Sequence, residues 1–199
     1  MTDTPPKSQT EDNHNSRDKS HKGNIGVRCT VWISQMPPST TYMNLFRSIR
    51  NAAPIIKCKL LPPNPIYPNH SGAIIRFSQE AGALNLEAQA QAKTFIINGA
   101  YPKVERLLAA EKLSHLTDGR SRGLRIKGPG SIVNRQVLEC IWRERFRWET
   151  DSSRDLGLGE VSYFFTCWAD SMFARNMLLR DLSTVLSVEY EPDPCAKPR

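Results

Sequence analysis

The 199-residue sequence has no apolar run approaching the roughly 18 residues of a membrane-spanning helix. Its first 23 residues, "MTDTPPKSQTEDNHNSRDKSHKG", contain no Val, Ile, Leu, Phe, Tyr or Trp. With that absence no secretory signal is expected, since one needs an apolar stretch. It also predicts a disordered tail over 1–23, because such a segment has nothing to bury against its ordering entropy. There is no C-x-x-C. The five cysteines (Cys29, Cys58, Cys140, Cys167 and Cys195) are odd in number and widely spaced, and the four histidines form no ligand-like pair with them. Free thiols in a reducing compartment, nuclear or cytoplasmic, are therefore expected rather than disulfides or a metal site. No Ser/His/Asp, Cys/His or paired-carboxylate arrangement can be placed at one site. "DLGLGE" and "KGPG" lack the Gly-Lys-Ser/Thr ending of a phosphate loop. No enzyme activity, cofactor or metal is expected.

What remains is a chain that can build a core, with 39% hydrophobic and 24% charged residues and a net charge of +7. The basic excess is concentrated: residues 24–105 carry eight Lys/Arg against three Asp/Glu, and 122–199 carry twelve against eleven. A basic balance favours a polyanionic partner.

Hydrophobic periodicity divides the chain into two similar halves. In the first, "RCTVWISQMP" reads as a strand stopped by Pro37 and Pro38. "STTYMNLFRSIRNA" reads as a helix capped by Ser39 or Thr40. "PIIKCKLLPP" alternates Ile56, Cys58 and Leu60 with Lys57 and Lys59. "SGAIIRF" is a third strand, and "SQEAGALNLEAQAQAK" an Ala-rich helix. "TFIINGAYPKVE" predicts a strand, a turn at Asn98-Gly99 and a last short strand. After a helical and polar linker at 106–121 the order returns: strand "GLRIKGPG", helix "IVNRQVLECIWRERF", strand "RFRWET", loop "DSSRDLGLG", strand "EVSYFFTCW", helix "ADSMFARNMLLRDL" and strand "VLSVEYEP". The prediction is an α+β chain of two βαββαβ domains, 24–105 and 122–195, with a flexible end at 196–199.

The repeated order, an aromatic in the first strand and a Gly/aromatic texture in the third resemble the RNA recognition motif family. "VWISQM" is similar to the family's V-F-V-x-N-L, with Trp32 at the stacking position and Gln35 in place of Asn. The third-strand motif, like K-G-F-G-F-V-x-F, has an Ala six residues after its last Phe. Phe77 and Ala83 share that spacing, so "HSGAIIRF" puts Gly72 and Ile74 at the stacking positions. Trp168 and Ala174 share it too, so "VSYFFTCW" puts Tyr163 and Phe165 there and turns Phe164, Thr166 and Trp168 inward. In the second repeat's first strand Arg125 takes the stacking position.

The resemblance implies two ferredoxin-like domains, each a four-stranded antiparallel sheet with two helices on one face. It implies stacking of single-stranded RNA bases on the open faces. By this register Trp32, Lys57, Lys59, Arg76 and Lys103 face outward on the first sheet, and Arg125, Lys127, Arg145, Arg147, Tyr163 and Phe165 on the second. Other readings stay open. Trp32 is either a stacking platform or a side chain covered by the linker, the other repeat or the Pro-rich loop. The 106–121 segment could cover Tyr163 and Phe165. The lysines and arginines either meet phosphate or form a solvated face, and Glu149 and Glu160 offer the second-domain arginines structural partners. For the whole molecule, RNA binding competes with a protein-interaction module built on eroded motifs, and more distantly with an enzyme on the same sheet.

Overall fold

The computed structural model describes residues 28–66, 68–107 and 120–196. The expected tail at 1–23, most of the linker and the last residues of the C-terminus lie outside them.

The first sheet is made of β1 (Thr30–Met36), β2 (Ile55–Leu61), β3 (Ser71–Phe77) and β4 (Lys103–Arg106), in the order β2-β3-β1-β4. The second is made of β5 (Gly123–Lys127), β6 (Thr150–Gly157), β7 (Glu160–Phe165) and β8 (Ser187–Glu191), in the order β6-β7-β5-β8. Every pairing is antiparallel. Helices α1 (Tyr42–Ser48) and α2 (Glu80–Gln91) belong to the first half, α3 (Arg135–Arg143) and α4 (Trp168–Leu182) to the second. This is a tandem of βαββαβ units with the ferredoxin-like strand order, in which the first and third strands of each unit lie at the centre.

Strand alternation places the cores. Val31, Ile33, Ala73, Ile75 and Phe77 point toward the first pair of helices, and Leu124, Ile126, Val161, Tyr163 and Phe165 toward the second, all essentially buried. Helix α1 is capped by Thr41, whose hydroxyl accepts from the Asn44 N–H. The expected cap Thr40 instead donates to the Pro37 carbonyl.

Three segments differ from expectation. "RFRWET" is not a strand: Arg145 and Phe146 continue the turn of α3 through bonds to the Trp142 carbonyl, and pairing begins only at Thr150. The expected loop "DSSRDLGLG" is β6 and its hairpin turn. Its polar sequence suits a sheet-edge strand with little to bury, where charges discourage further pairing. Leu158 (φ 53) and Gly159 (φ 74) make the two-residue turn, the left-handed pair that matches strand twist in a tight hairpin. Around Asn98-Gly99 there is only a bridge, Ile97 to Ala100, and no preceding strand.

The two halves are fused. The Cys58 N–H of β2 donates to the Thr166 carbonyl at 3.1 Å, so the edge of the first sheet is partly closed by the chain leaving β7. Ile55 N–H donates to Asp193 Oδ2 at 2.8 Å, and Ala52 N–H to the Cys195 carbonyl at 3.0 Å. Cys195 itself sits in the first domain's core. At the centre lies Arg122, fully buried. Its Nε donates to Asp193 Oδ2 at 3.0 Å, and its Nη1 to Asp151 Oδ2 at 2.7 Å and to the Phe165 carbonyl at 3.0 Å. Its guanidinium lies 4.1 Å from the centre of the Phe46 ring of α1. Burial works against the charge of Arg122, but Asp193, Cys195 and Asp151 outweigh it and hold the group above its ordinary range. A buried cation satisfied on this scale fixes one arrangement of its neighbours.

Candidate nucleic-acid interface

The face of the first sheet away from α2 gathers the side chains expected there. Across its middle, Glu105, Trp32, Ile74 and Lys59 stand side by side on β4, β1, β3 and β2. The neighbouring row holds Thr30, Arg76 and Lys57, and the row beyond holds Ser34 opposite Lys103. Facing residues on adjacent strands are about 5 Å apart at Cβ, so Trp32 stands among Lys59, Arg76 and Lys57 within a few side-chain lengths. Lys57, Lys59 and Lys103 are exposed; Lys103 pairs with Glu105 at 2.5 Å.

Trp32 is half-buried, and what buries it is informative. A Cβ on Gly72 would come within 2.7 Å of Trp32 Cη2. The indole therefore leans across β3 over the bare backbone of Gly72. The residue that reads as a missing aromatic is the space that seats this one.

The second sheet corrects the expected register. Tyr163 and Phe165 are completely buried on the helix side. Their ring centres lie 4.8 and 5.3 Å from that of Trp142 of α3. The Tyr163 hydroxyl shares hydrogen bonds with Thr150 Oγ1, Trp148 Nε1 and Glu139. Burial, first of all, pushes its pKa up. Neither ring is available to a base. The cause is a choice between two small residues one turn apart on α4. Helix α2 begins three residues after Phe77, and α4 three residues after Phe165. Phe165 is thus the counterpart of Phe77, and Ser171, fully buried, is the counterpart of Ala83. Counting from Ala174 displaces the strand by three, an odd number, and exchanges its faces. In the observed register Glu160 and Ser162 occupy the stacking positions, and Ser162 lies opposite Arg125.

Arg125 and Lys127 do lie on the open face of the second sheet, but both are engaged by Glu160, at 3.2 and 3.7 Å. Arg145 and Arg147 do not, because their segment is not a strand. Arg145 pairs with Asp181 at the end of α4, at 2.5 Å, and Arg147 is exposed in the connection. The outward aromatic of this sheet is Phe164. It packs over Gly123, lies 5.8 Å from the Arg122 guanidinium and is 9% exposed. Helix α1 packs against β6 beside it. The partners that shape this region, Arg122, Asp151 and Asp193, carry no local sequence signal, since their meeting spans up to 71 residues.

Among the described residues no group of His, Cys, Asp or Glu could hold a metal ion, and no helix is long and apolar enough to cross a membrane.

Strand order and connections define two ferredoxin-like βαββαβ domains in tandem, the RNA-recognition-like fold. No family model matches the chain, and no curated protein matches it. Among solved structures it is similar to the N-terminal three RNA-binding domains of the yeast splicing factor Prp24, at 17% identity and a TM-score of 0.35 over 82% of this chain and 64% of that one. It is also similar to the first two RRM domains of yeast poly(U)-binding protein Pub1, at 16% identity and TM-score 0.33, covering 82% of this chain and 99% of that one. RNA recognition domains 1 and 2 of Sex-lethal from Drosophila melanogaster match at 15% identity and TM-score 0.28, with 82% and 99% coverage. The chain thus spans less than two thirds of the Prp24 structure.

Proposed function

We propose that this protein is a non-catalytic binder of single-stranded RNA and that its first domain carries the binding face. The observation behind this is the placement of Trp32 among Lys57, Lys59 and Arg76 on one open sheet. An indole offers a flat surface to any base, and cations around it meet the backbone phosphates. The second domain contributes little stacking in this reading. Its face lacks outward aromatics at Glu160 and Ser162 and is used to hold the first domain.

The test is titration of the full chain with single-stranded RNA, followed by tryptophan fluorescence at low and near-physiological salt. Binding is expected to quench fluorescence and weaken with salt. Trp32→Ala is expected to cost about 1–3 kcal/mol of affinity, the range for one stacked base. Unchanged affinity in that variant, with the fold intact by circular dichroism, overturns the stacking role.

A protein-interaction module is the second reading. It is favoured by one observation: the sheet face of the second domain already docks a protein element, helix α1, in cis. Apolar docking on Trp32 and Ile74 responds little to salt, which separates it from phosphate binding.

A further inference from the structure

Helix α1 does not seal the second sheet. Between them lies a cleft of about 400 Å³, partly open to solvent, within the size range of small-molecule sites. Its apolar walls are Met43 and Phe46 from α1 and Phe164 from β7. Met43 is partly exposed, an adaptable side chain in the lining.

The polar groups are sorted by character. Arg47 of α1 and Arg154 of β6 both line the cleft, and among the described residues neither side chain makes a hydrogen bond or ion pair. Arg47 acts on Asp151 only at longer range. Arg122, by contrast, is saturated by Asp193, Asp151 and the Phe165 carbonyl. Glu191, also in the lining, accepts one side-chain bond among the described residues, from Ser162 Oγ at 2.5 Å. A carboxylate has about four acceptor sites, so Glu191 retains capacity and offers no donor. The cleft therefore presents two uncommitted guanidinium forks, an acceptor and flat apolar walls.

We infer that this cleft holds a single nucleotide unit whose base carries an amino group: adenine, cytosine or guanine rather than uracil. The phosphate meets Arg47 and Arg154, whose planar forks suit its oxygens. The base lies between the helix and the sheet against Met43 and Phe164. Its amino group donates to Glu191, the pairing a carboxylate makes with such groups. Uracil has no amino group, and its one donor, the imide N3–H, sits between two carbonyl oxygens that a carboxylate repels. The site is separate from the Trp32 face and needs no binding there.

The experiment is calorimetric titration of the full chain with the four ribonucleoside monophosphates, and in parallel with short oligoribonucleotides. AMP, CMP or GMP is expected to bind in preference to UMP. Arg47→Ala and Arg154→Ala should each weaken that binding about tenfold or more, the scale of a hydrogen bond to a charged group. Glu191→Gln should erase the preference over UMP, and Trp32→Ala should leave mononucleotide binding unchanged. If oligonucleotides bind through these arginines but monophosphates do not, the occupant is a nucleotide within a strand. Absence of binding by both, equal binding of UMP, or indifference to both arginines overturns the proposal. Loss of oligonucleotide binding in Trp32→Ala alone speaks only to the first-domain face. The Arg154 side chain is exposed and makes no hydrogen bond or ion pair among the described residues, so its variant reports binding rather than stability.

Discussion

Trp32 and Gly72 act as a pair: the glycine is conspicuous by what it lacks, and the indole fills that space. Asp170 shows the same dependence of a residue on its setting. It lies in the first turn of α4, where a carboxylate is favoured by the helix dipole. Burial raises its pKa above the ordinary 3.8, the charge of Glu149 adds to this, and the Glu149 N–H and Lys57 oppose it. A carboxyl raised in the folded state binds more protons there than in the unfolded chain. Its stabilising contribution is complete below the unfolded pKa and is lost as pH rises through the folded one. Asp170→Asn is therefore expected to flatten a decline in stability just above pH 3.8. Urea midpoints of variant and parent across about pH 3.5–7 check this; parallel curves contradict it. At this scale the sequence is legible where alternation is simple. Lys57 and Lys59 flank Cys58, so their common direction follows from period two. Spacing alone misplaces Tyr163 and Phe165 because Ser171 and Ala174 are both small and buried, and only the observed start of α4 separates them.

β2 shows how one element serves two purposes. Its outward lysines furnish the proposed phosphate contacts, while its Cys58 N–H joins it to the second domain. Replacing Lys57 and Lys59 together by Ala should lower the salt dependence of RNA binding. The slope of log affinity against log salt is expected to fall by about 0.7 for each phosphate of a single strand that is no longer neutralised. Binding isotherms at several salt concentrations measure it, and an unchanged slope removes these lysines from the interface. β6 is the opposite case for reading. Its "DSSRDLG" has turn-like composition, and nothing local says that Ser152 to Asp155 pair with β7. Phe146 and Trp148 read as strand residues because they alternate, yet they pack against the core from an irregular connection. Alternation reports burial on one side, which an irregular segment can also supply.

The domain order is readable because it repeats; the relation between domains is not. It rests on Arg122, whose partners Asp151 and Asp193 lie 29 and 71 residues away. Removing a buried charge while leaving its partners costs about 3–5 kcal/mol. Arg122→Met is expected to lower stability on that scale and to uncouple the domains, turning one urea transition into two. Adding Asp151→Asn and Asp193→Asn should recover part of the stability, since the stranded charges are then gone. A variant that keeps the parent's single transition and midpoint shows that Arg122 does not hold the halves together.

One contact sets a timetable. Cys195 belongs to the first domain's core and its thiol donates to the Phe46 carbonyl, 149 residues earlier in the chain. During synthesis the first domain emerges from the ribosome long before that side chain exists. Its sheet and helices can assemble, but the hollow beside Phe46 stays unfilled until nearly the whole of the second domain has followed. The first domain is begun first and finished last.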